Sequence, residues 1–217
     1  MPEILKRSAL DFFPETINYK SLRAASAGCM GCDLYKIGTQ TVFGEGAVRA
    51  GTMFVGEQPG DEEDLTGRPF VGPAGRLFDK ALVDAGIDRE KTYVTNVVKH
   101  FKWTPRGKRR IHEKPRMSEI TACVPWLAAE IKVVKPEILV CLGATAAQAL
   151  LGKDFRVTKQ RGQWIESEHS PMTIATVHPS SILRAPDPET RERQYGEFLA
   201  DLLIIAAAVN TKAEARA

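Results

Sequence analysis

The first residues whose types could do chemistry lie in a loop at residues 56–64, which reads G-E-Q-P-G-D-E-E-D. Glu57 directly follows an apolar stretch typical of a buried strand, and the neighbouring glycine and proline fix its position and leave it uncovered. A carboxylate held in this way can stabilise a developing cation or orient a nucleophile. For the acidic run at residues 61–64, a solvated turn is the simpler interpretation.

Two further residues have the chemistry to hold a flat ring. Phe70 lies among glycines in G-R-P-F-V-G-P-A-G-R, where an aromatic side chain either stacks on a ring or fills the core. Asn96 ends a second apolar stretch, and its amide offers a donor and an acceptor that match the edge of uracil or a similar base. Because Asn also caps many turns, the amide alone is a weak indication.

The basic segment K-W-T-P-R-G-K-R-R-I-H ends at His112. Its cations Lys108, Arg109 and Arg110 lie near glycine and proline, which predicts an exposed loop that binds phosphates. His112 differs from them, because a neutral imidazole has a lone pair that can attack an electrophilic sugar carbon.

The last motif, H-P-S-S-I-L-R, spans residues 178–184. His178 can donate a hydrogen bond to a departing base anion, and Arg184 can hold a phosphate. Between them, Ile182 and Leu183 are candidates for an apolar wedge between bases. The alternative is a turn that ends a strand and buries its aliphatic side chains.

Four cysteines form the remaining candidate site. Cys29 and Cys32 make a C-x-x-C pair, while Cys123 and Cys141 are 18 residues apart, a pattern that suits four thiolate ligands. Because structural zinc usually takes a second close pair, the spacing favours a [4Fe–4S] cluster over zinc. Cys141, in L-V-C-L-G, can instead be a small buried hydrophobe, and a disulfide framework is not expected in a reducing compartment.

Predicted strands and helices alternate along the chain. Apolar stretches predict strands at residues 52–57, 93–98, 137–143 and 173–178. Helical patterns lie at residues 74–85, 118–134, 144–151 and 189–209, with Ser118 as the N-cap of the second. This alternation predicts an α/β fold, a three-layer αβα sandwich around a mainly parallel four-stranded sheet. Such sheets place their sites at the carboxyl ends of the strands.

Length and charge narrow the class of protein. The 217 residues indicate one domain, residues 1–217. The net charge is +3, but residues 99–116 contain eight Lys or Arg and one Glu, a concentration expected where phosphates bind. No apolar run reaches about 18 residues, so we expect no membrane span. The N-terminus lacks a signal-peptide pattern, so we expect a cytoplasmic protein.

In their order along the chain, these motifs resemble those of the uracil-DNA glycosylase superfamily, specifically its iron–sulfur, family 4-like branch. The resemblance covers residues 29–184 and includes G-E-Q-P-G, G-R-P-F-V-G-P-A-G, H-P-S-S-I-L-R and the four cysteines. Multi-turnover members of that branch carry G-E-A-P-G, whereas this chain has Gln58 at the alanine position. It also contains K-R-R-I-H, which is typical of X-type members that become covalently linked to uracil-containing DNA.

The resemblance implies roles for the site residues. Uracil would stack on Phe70, be read by Asn96 and leave with its charge stabilised by His178. Glu57 would stabilise the oxocarbenium-like sugar, and His112 would capture the sugar C1′ and stop turnover. The other implied roles are substrate binding by Gly56, Gln58, Asp61 and Arg184, DNA-backbone binding by Lys108, Arg109, Arg110 and Ser180, and [4Fe–4S] ligation by Cys29, Cys32, Cys123 and Cys141.

Three alternatives remain open. The nearest is a multi-turnover, family 4-like glycosylase that releases free uracil and uses His112 only to bind DNA. The others are a non-catalytic iron–sulfur protein that binds DNA and a zinc-stabilised nucleotide hydrolase. Uracil-containing DNA is the expected partner, with single strands preferred because no base pair must open. Nothing in the sequence demands more than a monomer.

Overall fold

The computed structural model describes residues 7–214, so both ends of the predicted domain, residues 1–6 and 215–217, lie outside the described part. The described strands are β1 (Glu45–Gly46), β2 (Thr52–Gly56), β3 (Thr92–Asn96), β4 (Trp103–Arg106), β5 (Arg109–His112), β6 (Ile138–Leu142), β7 (Trp164–Ser167) and β8 (Ser170–Thr176). Six of them form one sheet with the order β1-β3-β2-β6-β8-β7. The other two, β4 and β5, pair as a separate antiparallel hairpin.

Helices lie between successive parallel strands along the chain. The described α-helices are α1 (Tyr19–Ser26), α2 (Asp61–Thr66), α3 (Pro73–Asp84), α4 (Met117–Val134), α5 (Ala144–Leu151), α6 (Val157–Gln160), α7 (Pro179–Leu183) and α8 (Pro188–Glu214). Three short 3-10 helices lie at Ala9–Phe12, Asp33–Lys36 and Arg89–Lys91. Within residues 7–214, none of the helices is long and apolar enough to cross a bilayer.

The predicted parallel core is confirmed, and the sheet is wider than predicted. The four predicted strands correspond to β3, β2, β6 and β8, which are neighbours and run parallel. Two antiparallel edge strands, β1 and β7, extend the sheet to six. They were not predicted because β1 has only two residues and β7 alternates half-buried with exposed positions, so neither forms an apolar run.

Alternate residues of the central strands face two separate apolar cores. On β2, Met53 and Val55 belong to one core, whereas Phe54 belongs to the other. Trp126 of α4 lies in the first core, and Phe198 of α8 lies in the second. Helices therefore cover both faces of the sheet, as the predicted three-layer αβα sandwich requires.

The strand order places a topological switch point between β2 and β6. From β2 the chain continues to β3 on one side, and from β6 it continues to β8 on the other. Loops that leave the carboxyl ends of these two strands diverge, which opens a crevice at that edge of the sheet. Gly56 ends β2 and Leu142 ends β6, so the loops that follow them flank the crevice.

Two local predictions need correction. Helix α4 begins at Met117 with Arg116 as its N-cap, so Ser118 is not the capping residue. The Glu119 carboxylate accepts the Arg116 backbone N–H at 2.6 Å and does the capping instead. The second correction concerns the basic segment, which forms the β4–β5 hairpin and not an irregular loop.

Candidate active site

A cavity of about 410 Å³ opens at the carboxyl edge of the sheet, next to the switch point. The predicted residues Phe70, Asn96, His112, His178, Ser180 and Arg184 are among those that line it. They come from four separate parts of the chain, so the fold brings together side chains that the sequence keeps far apart.

Three of these side chains converge on Gly56, the last residue of β2. A Cβ atom added at Gly56 would lie 2.3 Å from Asn96 Oδ1, 2.9 Å from Phe70 Cζ and 3.4 Å from His178 Nε2. The first two distances are too short for any real side chain, so only glycine leaves the amide and the ring in these positions. Gly56 and Asn96 are register partners on β2 and β3, which fixes the amide at this point.

Phe70 is held in an unusual backbone conformation. Its φ is +59°, a left-handed value that is uncommon for a residue with a bulky side chain. Gly75 of α3 packs directly on this backbone, since a Cβ there would lie 1.9 Å from the Phe70 carbonyl oxygen. The ring packs against Phe78 with centroids 5.3 Å apart, and it also lines the cavity. Phe70 is therefore a core residue with a ring that reaches the cavity, and its stacking on a base stays a prediction.

His178 is a neutral imidazole whose tautomer is set by its neighbours. It is the N-cap of α7, and the Ser180 backbone N–H donates to its Nδ1 at 3.1 Å. Since Nδ1 accepts, Nε2 carries the proton and faces the cavity near Gly56. Burial, together with the nearby Arg184 guanidinium, lowers the His178 pKa to about 4. The cavity is thus supplied with a neutral N–H donor.

Glu57 follows Gly56 and is held by a residue that sequence reasoning missed. The Thr145 hydroxyl, at the start of α5, donates to Glu57 Oε2. The other carboxylate oxygen, Oε1, lies 3.6 Å from Nε2 of His112. A Thr in the first turn of a helix carries no motif, and the contact spans 88 residues of sequence.

His112 ends β5, so the hairpin carries it into the cavity. Its side chain is half-exposed, and its ring lies 6.1 Å from the Phe101 ring. Burial lowers its pKa, and Arg184 adds to this effect, while the Glu57 carboxylate opposes it. The lone pair that a nucleophile or base needs is therefore present at neutral pH.

Arg110 holds the hairpin against α2, which differs from the predicted exposed phosphate contact. Its guanidinium bonds to Asp61 and, at 2.6 Å, to Asp64 Oδ2. The same group lies 5.5 Å from the rings of both Phe101 and Trp103. The acidic run forms the start of α2, with Asp61 and Glu62 exposed as predicted. Glu63 and Asp64 are buried, so the predicted solvated turn is wrong for these two residues.

Other predicted contact residues occupy mixed positions. Gln58 lines the cavity but is buried, and its amide bonds to the backbone of Lys102 and Glu113 on either side of the hairpin. Lys108 and Arg109 are exposed at the hairpin turn. Ile182 is fully buried in the core and cannot act as a wedge, whereas Leu183 lines the cavity.

Two cations of residues 99–116 are internal, so this stretch is less exposed than its composition suggests. Lys99 forms a buried ion pair with Glu130, and Lys102 pairs with Glu119 at 2.9 Å. Both pairs join the segment after β3 to helix α4. The exposed cations of residues 99–116 therefore lie on the hairpin and its flanks.

The four cysteines are free thiols that lie in or beside one apolar core. Burial raises the pKa of Cys123 to about 12, a value in which Lys99 opposes the rise and the nearby Cys32 and Cys29 contribute to it. Burial also raises the pKa of Cys141 to about 12 and that of Cys32 above its ordinary value. Three of the thiols thus lie within electrostatic reach of one another, and Cys141 shares their core.

Two of these sulfurs accept hydrogen bonds of the kind that stabilise thiolate ligands. The Lys99 backbone N–H donates to Cys123 Sγ at 3.2 Å, and Trp126 Nε1–H donates to Cys29 Sγ at 3.3 Å. Across residues 7–214, however, no three or more His, Cys, Asp or Glu side chains are grouped so as to hold a metal ion. The donor chemistry fits an iron–sulfur cluster, while the side-chain arrangement is not yet a complete ligand set.

Comparisons of the chain with a family profile and with known proteins agree on one family. Residues 43–203 match the profile of the uracil DNA glycosylase superfamily. The type-4 uracil-DNA glycosylase of Thermotoga maritima is 42% identical over 164 residues, covering 75% of this chain and 82% of that protein. The type-4 enzyme of Pyrobaculum aerophilum is 34% identical over 193 residues, covering 86% of this chain and 92% of that protein.

These matches confirm the predicted superfamily and its family 4-like branch. The relatives carry the type-4 name, which agrees better with a multi-turnover glycosylase than with the predicted covalent capture. The chain therefore belongs to the uracil DNA glycosylase superfamily.

Proposed function

We propose that this protein excises uracil from DNA by cleaving the bond between the base and its deoxyribose. The observation that carries the proposal is the convergence of an aromatic ring, an amide and a neutral imidazole N–H on Gly56. An enzyme that acts on a flipped base needs such groups to stack on the base, to recognise its edge and to stabilise the negative charge that develops on it. The type-4 relatives support the same activity.

Each of the three groups has a separate task. The Phe70 ring stacks on the base. The Asn96 amide accepts from uracil N3–H and donates to O4, a pattern that cytosine does not offer. When the C1′–N1 bond breaks, its electron pair stays on the base, and the N–H of His178 donates to the uracil O2 where that charge develops.

Breaking that bond leaves an oxocarbenium-like sugar, whose positive charge the Glu57 carboxylate stabilises. In a multi-turnover enzyme, a water oxygen then adds to C1′ and gives up a proton, which leaves an abasic site and free uracil. Arg184 and Ser180, which line the cavity, and the exposed Lys108 and Arg109 hold phosphates on either side. Gln58 and Asp61 support the cavity wall, and Arg110 acts through its bond to Asp61.

We further propose a [4Fe–4S] cluster bound by Cys29, Cys32, Cys123 and Cys141. Their free thiols and the N–H donors to two of the sulfurs support it. The cluster would tie the segment before β1 to α4 and β6, which is a structural role. We also extend the proposal to a monomeric, cytoplasmic protein that acts as one domain and prefers single-stranded DNA.

Covalent capture through His112 is a second candidate, and one observation favours it. The ring lines the base cavity beside Glu57, where a water would have to attack. In this reaction the unprotonated ring nitrogen of His112 bonds to C1′ as the C1′–N1 bond breaks. The proton on the other ring nitrogen is then lost and neutralises the departing uracil anion. Because imidazole bonded to carbon is a poor leaving group, turnover would stop after one uracil.

Replacement of Gly56 tests the proposed excision. We expect Gly56→Ala to lower uracil release from a single-stranded oligonucleotide by at least about 100-fold, because its methyl group displaces the Asn96 amide and the Phe70 ring. Gly51→Ala is the matched control, since a Cβ there meets nothing within 4 Å. Release by Gly56→Ala at the control's rate would contradict the proposed site.

A denaturing gel separates the two fates of the sugar. Wild-type protein is mixed with an oligonucleotide that contains one uracil, boiled in SDS and compared with His112→Ala. A stable band at the summed mass that His112→Ala lacks supports covalent capture. Free uracil and an abasic strand without such a band support multi-turnover release. Binding without either product would favour the non-catalytic alternative.

A further inference from the structure

The turn that joins β6 to α5 supports two residues of the cavity, although its sequence, G-A-T, contains no recognised site residue. Gly143 has a φ of +89°, and a Cβ there would lie 2.9 Å from the His178 Cβ, so glycine allows His178 to pack against the turn. Two residues later, the Thr145 hydroxyl donates to Glu57 Oε2. The turn therefore contacts His178, which is proposed to act on the base, and Glu57, which is proposed to act on the sugar.

The Thr145 bond determines how the Glu57 carboxylate is presented. A glutamate has several rotatable bonds, and the Glu57 side chain is 23% exposed, so burial alone does not fix it. With Oε2 held by Thr145, Oε1 is the oxygen that faces His112 at 3.6 Å. Glu57 and His112 also line an adjoining cavity of about 690 Å³, together with Thr145 and Arg184. Oε1 is thus the oxygen available to the reacting sugar.

We propose that Thr145 is a positioning residue for Glu57: its hydroxyl holds one carboxylate oxygen so that the other faces the sugar C1′. The inference rests on the proposed function, because it assigns Glu57 a task in uracil excision. Thr145 itself is 6% exposed and reaches the reaction only through Glu57.

The test is the single-turnover rate constant of free-uracil release, which measures glycosidic cleavage whichever group then captures the sugar. We expect Thr145→Val, which keeps the shape and removes the hydroxyl, to lower that constant by about 10-fold or more, as for a lost hydrogen bond to a charged group. Thr145→Ser keeps the hydroxyl and should stay within about 3-fold of wild type. Thermal unfolding of both variants shows whether the fold is kept.

A double-mutant cycle distinguishes positioning from a general structural effect. Glu57→Gln is combined with Thr145→Val, and we expect the second change to cause no further loss, since the carboxylate it orients is gone. Three results would overturn the inference: a Thr145→Val rate equal to wild type, failure of Thr145→Ser to restore it, or a full additional loss in the Glu57→Gln background. Wild type that releases no uracil would instead overturn the proposed function itself.

Discussion

At the scale of single residues, buried His100 and half-buried His178 are neutral for the same physical reason. Burial lowers the pKa of His178 and of His100 to about 4. For His178 the neutral form also suits its hydrogen bonds, because the Ser180 N–H needs a lone pair on Nδ1. His100 is 6% exposed, and the Asp64 carboxylate offsets only part of the effect of burial on it.

Burial of His100 should make the free energy of unfolding depend on pH. The unfolded chain takes up a proton at an ordinary pKa near 6.5, while folded His100 resists it down to about 4. The free energy of unfolding should therefore fall as pH drops from about 6.5 to about 4, by at most on the order of 3 kcal/mol from this residue. Urea unfolding at stepped pH measures the slope.

His100→Asn is the variant that assigns this slope. It should unfold with a weaker pH dependence in that window, although His178 continues to contribute to the remaining slope. Equal slopes for variant and wild type would show that His100 is not the group responsible.

Some site residues could be predicted from sequence and others could not, for a physical reason. Asn96 and His178 stand at or just after the ends of apolar runs, so their chemistry and their place at the sheet edge are both readable. Thr145 is an ordinary helix residue in sequence, and its importance comes from one contact with Glu57 that only the folded chain makes. Local pattern carries no information about such a pair.

At the scale of elements, the β4–β5 hairpin decides where His112 lies. Its four-residue strands are mostly exposed, so they show no apolar periodicity and were predicted as a loop. Neighbouring arginines on β5 do different work: Arg110 bonds to the buried Asp64, and Arg109 is exposed. Charge alone therefore did not indicate which one anchors the hairpin.

Paired substitutions at these arginines test that division. Each removes one positive charge, so the two variants are matched. Arg109→Ala should reduce the salt dependence of binding to a uracil-free single strand by about one ion and leave stability unchanged. Arg110→Ala should lower the free energy of unfolding by about 2–4 kcal/mol, because it leaves Asp64 without its cation.

Binding titrations at several salt concentrations measure the salt dependence, and urea unfolding measures the free energy of unfolding. An Arg110→Ala protein as stable as wild type, or one whose salt dependence falls as that of Arg109→Ala does, would contradict the anchoring role.

At the scale of the whole molecule, a buried polar network joins the sheet to α4. The Lys99 ammonium pairs with Glu130, and both side chains are 1% exposed. Lys99 also donates to Thr95 Oγ1 and to the Asn96 carbonyl, while Glu130 accepts from Tyr93 and the Gly44 N–H. Every partner is satisfied, so the network fixes the end of β3 that carries Asn96.

Removal of one partner should be costly. Lys99→Met leaves the Glu130 carboxylate buried and unpaired, and we expect the free energy of unfolding to fall by about 3–5 kcal/mol. The double variant Lys99→Met with Glu130→Gln should regain part of that loss, since no net charge is then buried. A loss below about 1 kcal/mol in the single variant would show that the pair does not stabilise the fold.

The architecture was more predictable than this network. Parallel strands buried on both faces form continuous apolar runs, which is why β2, β3, β6 and β8 were found. The edge strands lack such runs, and Lys99 looks like any surface lysine in a basic segment. Its burial follows from the position of Glu130 on α4, which composition does not reveal.

The most direct measurement of the central claim is the number of uracil molecules released per protein molecule from a tenfold excess of a uracil-containing single strand. We expect at least one uracil per protein molecule, and no base released from an identical strand that contains cytosine. A plateau near one would indicate covalent capture by His112, and continued release would indicate turnover. If the folded wild-type protein released no uracil at all, the account of this cavity as an excision site would be contradicted.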